Sequence, residues 1–352
     1  MSDLKATYRK YTLRFKRPGG TSRGILTTKD SWFVFLTDKR IPGRTGIGEC
    51  SLISGLSIDD SPGFEGRLDQ CCRQYSEEGT VDPALLKGFP AIRFGFEMAQ
   101  LDLYAEQERI LFPSGFTTGR DVIPINGLVW MGDPGFMKQQ IREKLDQGYA
   151  CLKLKIGALD FESEIALLKG IREEYRVEEL EIRVDANGAF KPEEALKKLD
   201  RLSAFGLHSI EQPIRQGQPE AMERLCRQTS LPIALDEELI GIEEPGEKEK
   251  LLSFIRPHYI ILKPSLVGGL KMAEQWIRIA DTTGTGWWVT SALESNIGLN
   301  AIAQWAFTMN NPMPQGLGTG QLYTNNIDSP LYISNGSLGY DPSKNWETDH
   351  LV

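Results

Sequence analysis

Histidine is scarce in this chain of 352 residues, with only His208, His258 and His350 present. An imidazole-based metal site or a Ser-His-Asp triad is therefore a poor starting point. Cysteine is sparse too. Cys50, Cys71, Cys72, Cys151 and Cys226 are odd in number, two are adjacent, and no Cys-x-x-Cys occurs. That pattern is neither a disulfide framework nor a zinc site, and it points to a reducing, cytoplasmic setting. No apolar run approaches the roughly 20 residues that span a bilayer, so no membrane partner is expected. The start, Met1-Ser2-Asp3-Leu4-Lys5, lacks the apolar stretch of a signal peptide. There is no basic cluster, and the net charge is −8, which argues against a nucleic-acid partner.

What is present is ordinary globular composition, 40% hydrophobic and 25% charged, long enough for one large core and a smaller satellite. Residues 7–16 alternate with period two, and Trp32-Phe33-Val34-Phe35-Leu36 is a β-prone apolar run. Strands are expected over 7–16, 31–38 and 47–50, with a loop over Pro18–Gly24. Residues 60–108 read as helical, and Pro90–Leu103 is apolar nearly all round, which predicts a buried helix. Strands followed by helices suggest an α+β unit over 1–120.

Beyond Pro113, short apolar runs alternate with helical segments. Asp133 is a good N-cap, Pro134 suits the first helical position and Gly148 suits the stop. Further helices are expected over 160–175 and from Pro192. Polar residues close apparent strands at 155, 185, 211, 236, 263 and 291, at intervals of 30, 26, 25, 27 and 28. Such spacing fits repeated β-α units. With strands near 125 and 315 the count reaches eight, which predicts a (β/α)8-type barrel, a modified TIM barrel, over 121–320. The turn-rich tail 321–352 is expected to complete the α+β capping domain. A doubly wound open sheet is the alternative, but its glycine-rich turn after the first strand is missing; Gly316-Leu317-Gly318-Thr319-Gly320 comes too late and lacks the following helix pattern.

In a barrel, the strand C-termini share one mouth, where chemistry resides. Asp185, Glu211 and Asp236 each end an apolar β-prone stretch. Any one alone is equally well a helix cap or a solvated loop carboxylate; three at matching ends suit a hard, oxygen-preferring cation such as Mg2+. Lys153 and Lys155, two apart on a strand, share a face, and Lys263 ends a strand across the mouth. A salt-bridged structural role is the plainer reading for the first pair, and a loop position for Lys263. Near a divalent cation and another ammonium, a lysine pKa should fall, making it usable as a base. Cation plus lysine suits proton abstraction beside a carboxylate.

The ordered series Lys-x-Lys, Asp-x-Asn, Glu-Gln-Pro, Asp-Glu and Lys-Pro resembles the muconate-lactonizing subgroup of the enolase superfamily, over nearly the whole chain. That superfamily itself serves as an example of a Lys or His base working with Mg2+. Within the subgroup, Ser291-Ala292-Leu293-Glu294-Ser295-Asn296-Ile297-Gly298 and Gly46–Ser51 are most similar to the o-succinylbenzoate synthases, lyases of menaquinone biosynthesis. The resemblance implies that Asp185, Glu211 and Asp236 bind Mg2+ (or Mn2+ in its place). It implies that Lys155 removes the proton α to the ring carboxylate of 2-succinyl-6-hydroxy-2,4-cyclohexadiene-1-carboxylate and returns it to the departing hydroxyl. Lys263 would stabilise the enediolate, and Lys153 would lower the pKa of Lys155. Arg23, on the Gly19–Gly24 capping loop, together with Asn187, Ser291 and Ser295, are the candidates for contact with this small carboxylate substrate; Leu52–Leu56 would form a second capping loop. A solvated hairpin arginine and a plain helix cap are the competing readings for Arg23 and Ser295. Dipeptide epimerases carry Asp-x-Asp at the eighth strand, where this chain reads Gly318-Thr319-Gly320. An epimerase, an N-succinylamino-acid racemase, a muconate cycloisomerase or a non-catalytic binding protein are the alternatives, and both a monomer and a homo-oligomer stay open.

Overall fold

A computed structural model describes residues 3–21 and 24–351. The chain opens with three antiparallel strands, β1 (Leu4–Thr21), β2 (Gly24–Asp38) and β3 (Thr45–Ser51), with β2 in the centre. The helices α1 (Phe64–Glu78), α2 (Pro83–Leu86) and α3 (Pro90–Tyr104) follow. The apolar run of β2 explains its central position. Alternate side chains leave on opposite faces, so Phe33 and Phe35 join the core that continues into the barrel, while Trp32, Val34 and Leu36 pack in a second core with Phe64, Leu68 and Ile92.

Two expectations need correction here. The stretch 18–24 is not a long loop: β1 and β2 pair through Gly19–Leu26, Gly20–Ile25 and Thr21–Gly24, after a register irregularity between Arg14 and Gly19 that spans Pro18. The glycines there serve close approach. A Cβ on Gly19 would lie 3.1 Å from the Trp130 ring, and one on Gly20 2.7 Å from the Met131 carbonyl. The helical stretch 60–108 is three helices, because α1 ends at Gly79 in the left-handed conformation and Lys87–Phe89 turns the chain before α3.

A short strand β4 (Ile123–Pro124) leads into the repeating part. There β5 (Gly127–Val129), β6 (Cys151–Lys155), β7 (Glu181–Asp185), β8 (Ser209–Glu211), β9 (Ile233–Leu235), β10 (Tyr259–Leu262) and β11 (Gly286–Val289) form one parallel sheet in chain order. Between them run α4 (Pro134–Asp146), α5 (Phe161–Glu174), α6 (Pro192–Ser203), α7 (Pro219–Gln228), α8 (Pro245–Ile255), α9 (Pro264–Val267) and α10 (Leu270–Thr283), and α11 (Asn296–Thr308) follows β11. Asp133 caps α4 as expected, accepting from Phe136 N, and Asp160 caps α5, accepting from Ser163 N. The eighth stave is reduced to two residues: Gln315 bridges Ile125 and Gly316 bridges Thr290. Asn126 N donates to the Gln315 carbonyl at 3.0 Å and Gly316 N to the Val289 carbonyl at 2.8 Å, so the sheet curls into a modified TIM barrel.

In the tail, β12 (Leu331–Ser334) and β13 (Ser337–Tyr340) form a small sheet with β4. Lys16 N donates to the Leu322 carbonyl, Thr324 N to the Arg14 carbonyl and Tyr11 Oη to the Asn325 carbonyl. The first strand is thereby fastened to the barrel rim.

Candidate active site

Register places the charged residues side by side. Lys155 pairs with Asp185 across β6 and β7, and Asp185 pairs with Glu211 across β7 and β8. Side chains at paired positions share a face, and Lys153, two residues before Lys155, shares it too. Asp236 and Lys263 follow the last residues of β9 and β10. The spacing read from the sequence therefore converges on one mouth.

The contacts are dense. Lys155 Nζ lies 2.5 Å from Asp185 Oδ2 and donates to Asn187 Oδ1 at 2.8 Å. Lys153 Nζ is 2.8 Å from Asp185 Oδ2 and ion-pairs with Glu211. Lys263 ion-pairs with Asp236 and stands 3.7 Å from Glu211 Oε1. Burial disfavours the charge on Lys153, but Asp185, Glu211 and Asp236 outweigh it and hold the ammonium above its usual range. Lys263 is likewise depressed by burial and raised overall by Asp236 and Glu211. The carboxylates by themselves thus act on these two lysines against the lowering expected beside a cation.

Burial pushes the Asp185 carboxyl up, but Lys153, Lys155 and Lys263 hold it well below its usual range. Glu211 goes the other way: burial and the neighbouring Asp185 charge push it well up. Among the described residues, only the Lys153 and Lys263 ammoniums offer the Glu211 oxygens a polar partner. A buried carboxylate short of donors and crowded by Asp185 and Asp236 fits a divalent cation, and an all-oxygen donor set fits Mg2+. As they stand, no three acidic, histidine or cysteine side chains among the described residues close into a metal cage. The Lys153 and Lys263 ammoniums lie among the carboxylates instead.

A cavity of about 300 Å3 opens on this cluster, lined by Lys153, Lys155, Lys263 and Asn187. Ile25 and Leu26 from β2, and Ile53, Ser54 and Leu56 from the segment after β3, also line it, so two pieces of the first sheet cover the mouth. Leu128, Trp130 and Leu293 add further apolar wall.

The substrate-contact candidates divide. Asn187 lies in the cavity, in the left-handed conformation (φ 44°), and bridges Lys155 to Glu237, donating from Nδ2 to Glu237 Oε1 at 3.0 Å. Ser291 lines the cavity, with its hydroxyl donating to Glu294 and accepting from Thr319 Oγ1 at 2.8 Å. Ser295 is elsewhere: it caps α11, donating from Oγ to Glu49 Oε2 at 2.6 Å, and does not line the cavity. Arg23 lies outside the described residues. Sequence reasoning missed Asn126, Trp130, Thr290 and Thr319, all in the cavity wall. Asn126 and Thr290 flank the two-residue eighth stave, and no motif marks them.

Comparison with known proteins follows this geometry. The enolase C-terminal domain-like family matches residues 137–341. The o-succinylbenzoate synthase of Desulfotalea psychrophila is 50% identical, across 96% of this chain and 100% of the relative. The crystal structure of MenC from the same organism superposes with a TM-score of 0.83 at 47% identity, covering 96% of this chain and 100% of that one. An N-succinylamino acid racemase of Amycolatopsis is 26% identical over 94% of this chain and 90% of its own.

Proposed function

From the premise that this chain belongs to the enolase C-terminal domain-like family, we infer that it is a lyase that dehydrates 2-succinyl-6-hydroxy-2,4-cyclohexadiene-1-carboxylate to o-succinylbenzoate in menaquinone biosynthesis. The observation that carries the residue assignment is the placement of Lys155 and Lys263, on β6 and after β10, in the wall of one cavity and against three buried carboxylates. Asp185, Glu211 and Asp236 would hold Mg2+, or Mn2+ in its place. The ion would supply positive charge beside the substrate carboxylate, where negative charge develops as the α proton leaves.

Lys155, in its amine form, takes that proton. The ring C–O bond then breaks, and the proton passes from Lys155 Nζ to the departing hydroxyl, which leaves as water. Asn187 orients Lys155 through the 2.8 Å hydrogen bond to its Oδ1. Lys263 stays protonated, held so by Asp236 and Glu211 against its burial, and stabilises the developing charge from across the mouth. Lys153 pairs with Asp185 and Glu211 and keeps positive charge beside Lys155. Ile25, Leu26 and Leu56 line the mouth of the site with apolar side chains. Aromatisation makes the elimination favourable, so the enzyme has chiefly to stabilise the charged intermediate.

An epimerase acting on a dipeptide would need an anion for the substrate ammonium at the eighth stave. Here Gly316, Gly318 and Thr319 line the cavity instead. No helix among the described residues is long and apolar enough to cross a membrane. All five cysteines are buried free thiols, which supports a cytoplasmic setting.

The test is a spectrophotometric assay of the cyclohexadiene carboxylate with Mg2+, then with excess EDTA. Rapid loss of the diene absorbance that EDTA stops is the expected result. No turnover with Mg2+ present would overturn the assignment.

A further inference from the structure

The metal and lysine cluster uses up the charge of the catalytic cavity. Lys153, Lys155 and Lys263 are all paired with carboxylates, and much of the remaining lining is apolar. The substrate inferred above has two carboxylates. One belongs at the cluster; the other, on the succinyl chain, finds no unpaired cation in this cavity among the described residues.

A second cavity, of about 330 Å3, shares Asn126, Leu128, Trp130, Gly318 and Thr319 with the first. Its other lining carries Lys16, Arg17 and Lys144 against one carboxylate, Glu143, which stands 3.6 Å from Arg17. The Lys144 ammonium is half-buried over the Tyr149 ring, 5.0 Å from its centroid, and has no ion-pair partner within 4.0 Å among the described residues. Burial lowers its pKa, and Glu143 offsets only part of that. A cation in that position gains from an incoming anion. In the wall common to both cavities, Asn126 is 4% exposed and its Oδ1 has no hydrogen-bond partner. A buried amide left unpartnered is costly unless a ligand or water completes it. Lys16 is held at this place by its backbone bond to Leu322, and Gly19 packs on the Trp130 ring. The basic strand segment is thus built onto the barrel rim.

We propose that this second cavity is a carboxylate subsite, centred on Lys144 with Lys16, Arg17 and Asn126, that receives the terminal carboxylate of the succinyl chain. The proposal rests on the substrate reading above. It assigns specificity to the seam between the first and eighth staves, with the first capping strand completing it.

The test compares two ligands on the Mg2+-loaded protein by titration calorimetry: o-succinylbenzoate, and 2-butanoylbenzoate, in which a methyl group replaces the terminal carboxylate. Wild-type protein should prefer o-succinylbenzoate by about tenfold or more, as for a desolvated charge pair. Lys144→Met should shrink that preference to about twofold and leave 2-butanoylbenzoate affinity unchanged. It should also raise KM for the cyclohexadiene about tenfold with kcat nearly constant, the mark of lost ground-state binding. The double variant Lys16→Met/Arg17→Met should move the same way, and it guards against misfolding of the Lys144 variant. An unchanged preference in both variants overturns the subsite. So does loss of the preference in Arg23→Ala with Lys144→Met unaffected, which would send the carboxylate to the capping loop. Wild-type turnover separates the two readings: turnover with an unaltered preference sinks the subsite alone, whereas neither turnover nor binding sinks the substrate assignment with it.

Discussion

Lys155 and Lys248 stand in two different settings. Lys155 sits between Asp185 and Asn187 at the edge of the cavity. Lys155→Ala removes the group that moves the proton while leaving the three carboxylates in place. Its kcat should fall by about 10²–10⁴-fold, the usual worth of a positioned acid–base group, while calorimetric Mg2+ titration stays close to wild type. A retained kcat would refute the assignment. Lys248 is wholly buried on α8, donating to Gln275 Oε1 at 3.0 Å above the Trp276 ring. Burial pushes its ammonium from 10.5 down to about 8, with Arg93 and Arg278 adding to the fall and Glu243 and Glu244 opposing it. The unfolded chain therefore binds more protons between about pH 8 and 10.5, so this group's contribution to stability rises with pH there and is lost as pH falls through 8. Urea midpoints should show the difference between wild type and Lys248→Met growing in favour of wild type from pH 7.5 to 10. A constant difference would mean that Lys248 does not titrate in that window.

At the scale of elements, a buried charged junction joins β3 to α11 and helps hold the first sheet on the barrel. Glu49, wholly buried on β3, accepts from Ser295 N and Oγ and from Gly298 N at the start of α11, and from Ser31 Oγ on β2. It meets both the unpaired amides of the helix N-terminus and its dipole. Beside it, buried Lys29 donates to Ser31 and Ser51, and Glu294 accepts from Ser265 and Ser291. Glu49→Ala strands several buried donors and should cost about 3–5 kcal/mol, the range for removing one partner of a buried charged group. Glu49→Gln keeps an acceptor oxygen and should cost visibly less. Thermal unfolding of the two variants checks the order; equal losses would show that shape rather than hydrogen bonding matters here. Gly48 and Gly46 make the same junction possible from the other side. A Cβ on Gly48 would fall 1.9 Å from the Gly95 carbonyl of α3, so only glycine lets α3 lie this close to β3.

For the whole molecule, the five cysteines act together. All are buried thiols, and burial is the largest cause of each upward shift: Cys71 to about 11, Cys72 and Cys226 to about 12, with Cys50 and Cys151 raised as well. Unfolded thiols ionise near 8.5. Above that pH the unfolded chain holds fewer protons than the folded one, so this stabilisation is full below about 8.5 and drains away as pH climbs toward the folded values. The native protein should react with a thiol reagent at no cysteine at pH 8 and at all five in denaturant, and the Cys72→Ala/Cys226→Ala variant should lose less stability between pH 8.5 and 10. Fast labelling of the native protein would show that the cores around these residues open readily.

The sequence by itself determined the repeating βα pattern and the charged residues that end its strands. Regular spacing and period-two alternation are local properties: Lys153 and Lys155 share a face because a strand has period two, and Asp185 and Glu211 follow because each unit has about the same length. The cap Asp133 was legible for the same reason, since a side chain and an amide three residues on decide it. Only the tertiary structure decided the rest. Pro18–Gly24 has loop composition, yet its glycines serve contact with Trp130 and Met131, more than a hundred residues away. The eighth stave is two residues held by bridges to both neighbours, too short for any periodic signal. Ser295 resembled a substrate contact until α11 took it as a cap and Glu49 crossed from the first sheet to bind it. The second cavity, with Asn126 in the shared wall and Lys16, Arg17 and Lys144 around it, joins three distant segments. Side chains brought together by packing carry no mark in the local sequence, because the energy that selects them comes from contacts the linear order does not contain.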